Sequence, residues 1–238
     1  MSVIIALIDV TLRGLLGRRR FVLLVLLVGL PVLIGLLIRV SGGRPDADRV
    51  LDTLVVRTIM PIVALVIGTA AIGSEIEDGT AVFLMIKPIP RWKIVLAKAF
   101  VAAGLTVALV VPSVVLTGML LGTRADPTTS IVGFSVACLA GGSAYAVGFT
   151  TLSVFTSRAL LVGLGYTLIW EGVLAGLLEG TKFLSVRQAT LGVAAALGVK
   201  LRDPLAPAVS VAVLAILLAG GFALASWRLA RFEIRGGD

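Results

Sequence analysis

Residues Phe21 to Val40 read FVLLVLLVGLPVLIGLLIRV, and sixteen of these twenty are Phe, Val, Leu or Ile. Each such residue favours the centre of a bilayer by about 0.3–0.6 kcal/mol. Their sum, roughly 5–10 kcal/mol as an upper bound, outweighs two glycines, one proline and Arg39 near the end. As a helix, the run is long enough to cross a hydrocarbon core of about 30 Å. It exceeds the core of an ordinary signal peptide, and no small-residue cleavage site follows closely. It is therefore read as a retained membrane span.

The rest of the chain agrees. Of 238 residues, 58% are hydrophobic and only 14% charged, with a mean hydropathy of +1.11. A soluble domain of this length would be about one quarter charged, so a bilayer is the expected solvent. Five further apolar stretches are expected to span, at Leu54–Gly73, Ala99–Gly122, Ile131–Thr156, Ala159–Leu178 and Ala206–Trp227. The fold expected is an all-α membrane protein, one six-span transmembrane domain over residues 1–238. Residues 1–20, MSVIIALIDVTLRGLLGRRR, place Ile4, Ile5, Ile8, Leu12, Leu15 and Leu16 at helical spacing. That pattern predicts an amphipathic interfacial helix; a cytoplasmic extension of the first span is the alternative.

The net charge is +8, but the bases cluster at the edges of apolar runs. That suits headgroups and topology, so membrane lipids are expected partners and nucleic acid is not. Six spans put both termini on one side. With the termini inside, twelve Lys and Arg fall inside and nine outside. The Arg18–Arg19–Arg20 triplet beside the first span decides for cytoplasmic termini. Arg outnumbers Lys throughout, a bias of GC-rich bacterial genomes, and the expected location is a bacterial inner membrane. The chain has no His, which excludes a Ser-His-Asp triad and any His-ligated metal. Its one cysteine, Cys138, has no intrachain partner. No G-x-x-x-x-G-K-[ST] motif occurs, so no P-loop is recognised. The chain is expected to be no enzyme and to hold no cofactor or metal itself.

Between the second and third expected spans lies GSEIEDGTAVFLMIKPIPRWKIVLAK, Gly73 to Lys98. Ser74 and Glu77 fit a capping box and predict a helix start as the second span leaves the membrane. Gly79 permits a change of direction, Thr80–Ile86 can make about two turns, and Pro88 and Pro90 stop them. Arg91, Lys93 and Lys98 are expected to return the chain to headgroup level. The result is a short apolar helix over residues 81–86, held in water by a charged frame. A plain solvated loop would explain the bases, and Glu75 as a cap, but not that apolar run. Exposed apolar patches of this kind mark docking surfaces.

This arrangement resembles the signature of the ABC type-2 permease family, the membrane subunits of a class of ATP-driven exporters. In that family an E-x-x-x-G-T run, an apolar stretch, a Pro, an Arg and a Lys lie between spans two and three. The matching positions are Glu75, Gly79, Thr80, Pro88, Arg91 and Lys98. The resemblance implies that residues 74–93 form a coupling helix seated in a groove of an ATPase subunit. Phe83, Leu84 and Met85 are the expected contact residues, Glu75 a cap, and Arg91 a pin to Glu75 or to phosphates. It also implies two copies of a separate ABC ATPase holding ATP and Mg, and a second permease subunit, identical or similar. The absence of a large outer domain favours a small amphiphilic or lipid-like cargo. The alternatives are an ion-coupled secondary transporter and a non-transporting scaffold or sensor subunit.

Elsewhere, Glu171 in YTLIWEGVLAGL is the only acid well inside an expected span, near its outer end. Intramembrane acids are functional hypotheses by default, and this one is expected to line the translocation path. The alternative is a carboxylate exposed to water at the outer end. The segment 179–205 is expected to carry one outer helix, lying on the membrane or dipping back into it. In span four, GFSVACLAGGSAYAVGF spaces Gly and Ala at four-residue intervals, a face for close helix packing. Pro31, Pro61 and Pro112 are expected as packing kinks, and Arg39 and Arg57 as bases reaching outward to water.

Overall fold

The computed structural model describes residues 3–15, 17–43, 46–77, 90–122, 127–174 and 179–231. Among these, every regular element is helical. In order they are α1 (Val3–Leu15), α2 (Arg18–Val40), α3 (Ala47–Val50), a π-helical segment (Leu51–Ile59) and α4 (Met60–Glu77). Then come α5 (Arg91–Leu121), α6 (Pro127–Phe155), α7 (Ala159–Gly165) and a second π-helical segment (Tyr166–Leu174). A 3₁₀ turn (Glu179–Leu184), α8 (Val186–Ala196) and α9 (Pro207–Ala230) complete the chain.

Among the described residues, five helices are long and apolar enough to cross a membrane: Arg19–Val40, Ala47–Gly73, Arg91–Leu121, Pro127–Phe155 and Pro207–Ala230. The remaining expected span is a shorter apolar helix, Ala159–Val173, and residues 175–178 beyond it lie outside the described residues. The bundle has two ends, named here for the arginines that organise them. Arg91 bonds the last turn of α9, whereas Arg187 lies where α8 meets the start of the first π segment.

The centre of the bundle is the first π segment with α4. Leu51, Val55, Val56, Met60 and Val63 are sealed there against Val110 and Val114 of α5 and Phe134 and Cys138 of α6. By contrast α2 and α9 keep rows of apolar side chains exposed, Leu23, Leu26, Leu33 and Leu37 on the first and Val211, Ile216 and Leu224 on the second. Such faces suit lipid tails. At the Arg91 end, Arg231 sits 4.3 Å over the Trp227 ring and Lys93 5.6 Å from the Trp92 ring. Exposed tryptophans paired with bases mark headgroup level.

Small residues let α6 sit at the hub. A Cβ on Gly68 of α4 would come 2.8 Å from the Ala146 carbonyl oxygen and 2.9 Å from the Phe149 Cβ. Only glycine permits that approach. Gly141 and Gly133 of α6 likewise admit Thr190 and Val199 from α8 and the loop after it. The Gly/Ala face of span four therefore packs within this chain.

Two local expectations change. Ser74 does not begin a helix, because α4 continues without a break to Glu77; a residue cannot cap the start of a helix while its own backbone is mid-helix. The second span also begins earlier than expected, at Ala47, where the Asp46 carboxylate accepts from the Asp48 amide at 3.2 Å. At the amino end, Gly17 has φ −49° and ψ 128°, so α1 and α2 are separate helices rather than one extended span. Leu7, Ile8, Leu12 and Leu15 turn to the bundle while Val10 and Arg13 stay outside.

The π segments have a local cause and a consequence. Pro61 lacks an N–H and its ring crowds the carbonyl four residues back. The ladder immediately before it is wide, with the Met60 amide bonding the Val55 carbonyl. Residues five apart, about 140° around an α-helix, come onto one side when bonds run i to i+5. Thr58 thus reaches the Thr53 carbonyl at 3.0 Å.

Candidate functional site

The Arg91 end is built on the start of α5. Pro90 stands at its N-cap, with φ −55° and ψ 125°. Arg91 Nη1 donates to the carbonyls of Leu229 at 2.8 Å and Ala230 at 2.7 Å, the last turn of α9. A guanidinium there satisfies carbonyls that have no helical donor and meets the negative end of the helix dipole. Seven residues on, two turns along the same face, Lys98 donates to the Ala71 carbonyl of α4 at 2.7 Å. Lys98 is only 2% exposed. The expectation that it lies at headgroup level is therefore corrected: it ties α5 to α4 inside the bundle. Beneath these two bases an apolar cluster of Ile72, Ile94, Val95, Val154, Ala225 and Leu229 joins α4, α5, α6 and α9. Arg228, 5.8 Å from the Phe155 ring, adds a second tie between α9 and α6.

The other expected residues of this end fare differently. Glu75 lies on the last turn of α4 by its backbone, but its side chain is outside the described residues. Gly79, Thr80, Phe83, Leu84, Met85 and Pro88, and with them the expected apolar helix, also lie outside.

At the opposite end Glu171 is 3% exposed, which excludes a water-exposed carboxylate. Its Oε1 accepts from the Tyr166 hydroxyl at 2.9 Å and from the Val186 amide at 2.9 Å. Its Oε2 accepts from the Ser185 hydroxyl at 2.6 Å. The π segment makes the first contact possible by bringing residues 166 and 171 to one side. Ser185 in turn accepts from the Gln188 amide at 3.1 Å as the N-cap of α8. A carboxylate at a helix N-terminus meets both free amides and the positive end of the dipole. Phe149, stacked 5.8 Å from Tyr145 and edge-on 6.5 Å from Tyr166, backs this arrangement from α6.

Glu171 thereby holds the segment 179–205 in place. That segment does contain one helix, as expected, and it dips into the bundle, with Ala189, Thr190 and Ala194 fully buried. Gly198, at φ 96°, ends it in the left-handed region, and the Val199 amide turns back to the Ala194 carbonyl at 3.3 Å. A second tie comes from Arg187, whose Nη2 lies 3.7 Å from Asp52 Oδ1 in the first π segment. Burial pushes the Arg187 pKa down, and Asp52 beside it pushes it back up. Arg39, by contrast, stays exposed and reaches the Leu120 carbonyl at 3.3 Å, as a base near a span end should.

Arg187, Asp52, Ser185 and Tyr166 were not singled out by sequence. Spacing of five between Tyr166 and Glu171 was a usable signal only if a π turn was assumed. Among the described residues, no group of three or more Cys, Asp or Glu is placed to hold a metal.

The comparisons with known proteins bear on what this bundle is. The family model described as ABC-2 family transporter protein matches residues 16–175, more than half of the chain. No curated protein matches the chain.

Proposed function

This chain belongs to the ABC-2 family of transporter proteins, and from that premise we propose that it is the membrane subunit of an ATP-driven exporter. Membership and its apolar helices make it an integral membrane transporter permease, a non-catalytic kind of subunit that generally works with an ABC ATPase. The finer reading is ours. The ATPase is a separate chain, present in two copies, and holds ATP and Mg. Its groove receives the coupling segment, residues 74–93, with Phe83, Leu84 and Met85 as the contacts and Glu75, Gly79, Thr80 and Pro88 framing them. Two permease subunits, identical or paired with a similar chain, enclose the path. Both termini face the cytoplasm of a bacterial cell, a reading supported by the Arg18–Arg19–Arg20 run beside the first span. The cargo is a small amphiphilic or lipid-like compound.

The observation that carries this reading is the pair of ties made by Arg91 and Lys98. Both follow the docking run on α5, and between them they grip α9 and α4. A push on residues 74–93 would therefore move three helices together, as a coupling device requires. The three hydrogen bonds that Glu171 accepts favour a role in holding α8 over direct contact with cargo. Transport assays in reconstituted vesicles test the whole reading: uptake should require ATP and the cognate ATPase. Uptake that follows a pH gradient without ATP would favour an ion-coupled transporter, and an assembled complex with no flux would favour a scaffold.

A further inference from the structure

A cavity of about 410 Å³ opens at the Arg187 end, between the start of the second span, α8 and the loop that follows it. Its acids are Asp46, Asp48 and Asp52; its bases are Arg49, Arg57, Arg187, Lys200 and Arg202. The bases exceed the acids by two, five against three. Of the acids, Asp46 caps α3, while Asp52 Oδ1 stands 3.7 Å from Arg187 and, like Asp48 Oδ1, has no hydrogen-bond partner among the described residues. Among the described residues, the side chains of Arg49, Arg57, Lys200 and Arg202 make no hydrogen bond or ion pair.

The decisive residue is Arg187. It lines the cavity yet is only 5% exposed, and its Nε finds no acceptor among the described residues. Its contact with Asp52, at 3.7 Å, lies beyond hydrogen-bond reach. A buried guanidinium with an unused donor demands an acceptor, and its planar fork fits a phosphate or carboxylate. The exposed bases around it would complete the oxyanion's coordination, as clusters of Arg do for phosphate. A solvated charged face would need none of these features.

We propose that this cavity binds an anionic group of phosphate size, gripped by Arg187 and flanked by Arg49 and Arg202. Two sources supply that chemistry, a phospholipid headgroup of the adjoining leaflet and a free anion, and both would enter beside α8. Arg187 and Arg202 lie beyond the stretch matched by the family model and Arg49 lies within it. The site does not depend on ATP-driven transport.

The test is calorimetric titration of the full chain, purified in a non-ionic detergent at low salt. One probe is inorganic phosphate and the other dihexanoyl phosphatidylglycerol. Saturable binding of either is expected, and binding of the lipid alone would identify a headgroup site. Arg187→Gln should weaken binding about tenfold or more. Because Arg187 is buried, Arg49→Gln with Arg202→Gln provides a second variant at exposed positions, with a loss of about fivefold or more expected. Arg39→Gln removes one base outside this cavity and should leave binding within about twofold. Absence of saturable binding by either probe would overturn the proposal. So would equal losses in Arg39→Gln and the cavity variants, or full retention in the folded Arg49→Gln, Arg202→Gln protein.

Discussion

Glu171 accepts hydrogen bonds from Tyr166, Ser185 and the Val186 amide, and its surroundings are closed to water. Replacing it by Leu leaves buried donors without acceptors, each at about 1–3 kcal/mol. Glu171→Leu is therefore expected to lower stability by about 2–4 kcal/mol, read as an earlier thermal transition in detergent. Glu171→Gln, which keeps a carbonyl for the Val186 amide and Tyr166, should lose less than half as much. If both variants unfold like the parent and differ only in transport, Glu171 belongs to the path instead. At this scale the sequence showed that Glu171 was exceptional, since an acid in an apolar run is conspicuous. It did not show the partners, because Ser185 and Val186 are brought up by tertiary packing and Tyr166 by a widened turn. Lys98 misled for the opposite reason. A base near a span edge reads as a headgroup residue, and only the fold puts the Ala71 carbonyl within its reach.

Among elements, the close approach of α4 and α6 depends on Gly68. Gly68→Ala should cost about 1–3 kcal/mol through overpacking against backbone. Gly104, whose Cβ would meet nothing within 4 Å, serves as the comparison, and Gly104→Ala should shift stability by less than about 1 kcal/mol. Equal thermal transitions for the two variants would contradict the packing described. The contact between α5 and α9 gives a functional expectation. Arg91→Gln removes the guanidinium from the carbonyls of Leu229 and Ala230 without touching residues 81–86. It should retain the ATPase while lowering cargo moved per ATP hydrolysed, by about tenfold if some 1.4 kcal/mol of coupling is lost. Loss of the ATPase itself would make Arg91 part of the docking surface. Helix positions were legible because apolar runs of span length are unambiguous in composition. Their starts were less so: the capping pattern at Ser74 and Glu77 is real, but an uninterrupted helical ladder overrode it. The π segments left no periodic mark that a 3.6-residue reading could detect.

For the molecule as a whole, the two ends carry different chemistry. One end has Arg91, Lys98 and an apolar cluster joining four helices beneath the segment that resembles a coupling helix. The other has α8 folded into the bundle and a charged cavity beside it. The first was foreshadowed by the polar insertion between two apolar runs. The second was not, because Asp52 and Arg187 are distant in sequence and meet only when the outer segment dips inward. The central proposal is that residues 74–93 dock on a separate ATPase whose work reaches the helices through α5. Affinity purification from native membranes in mild detergent, followed by mass spectrometry, tests it most directly. The parent would be compared with Leu84→Asp, Met85→Asp protein shown to insert normally. A P-loop ATPase recovered with the parent and lost with the variant is the predicted result, since burying two carboxylates in an apolar groove should abolish docking. Equal recovery with both, or no ATPase with either from a complex that survives the detergent, would contradict it.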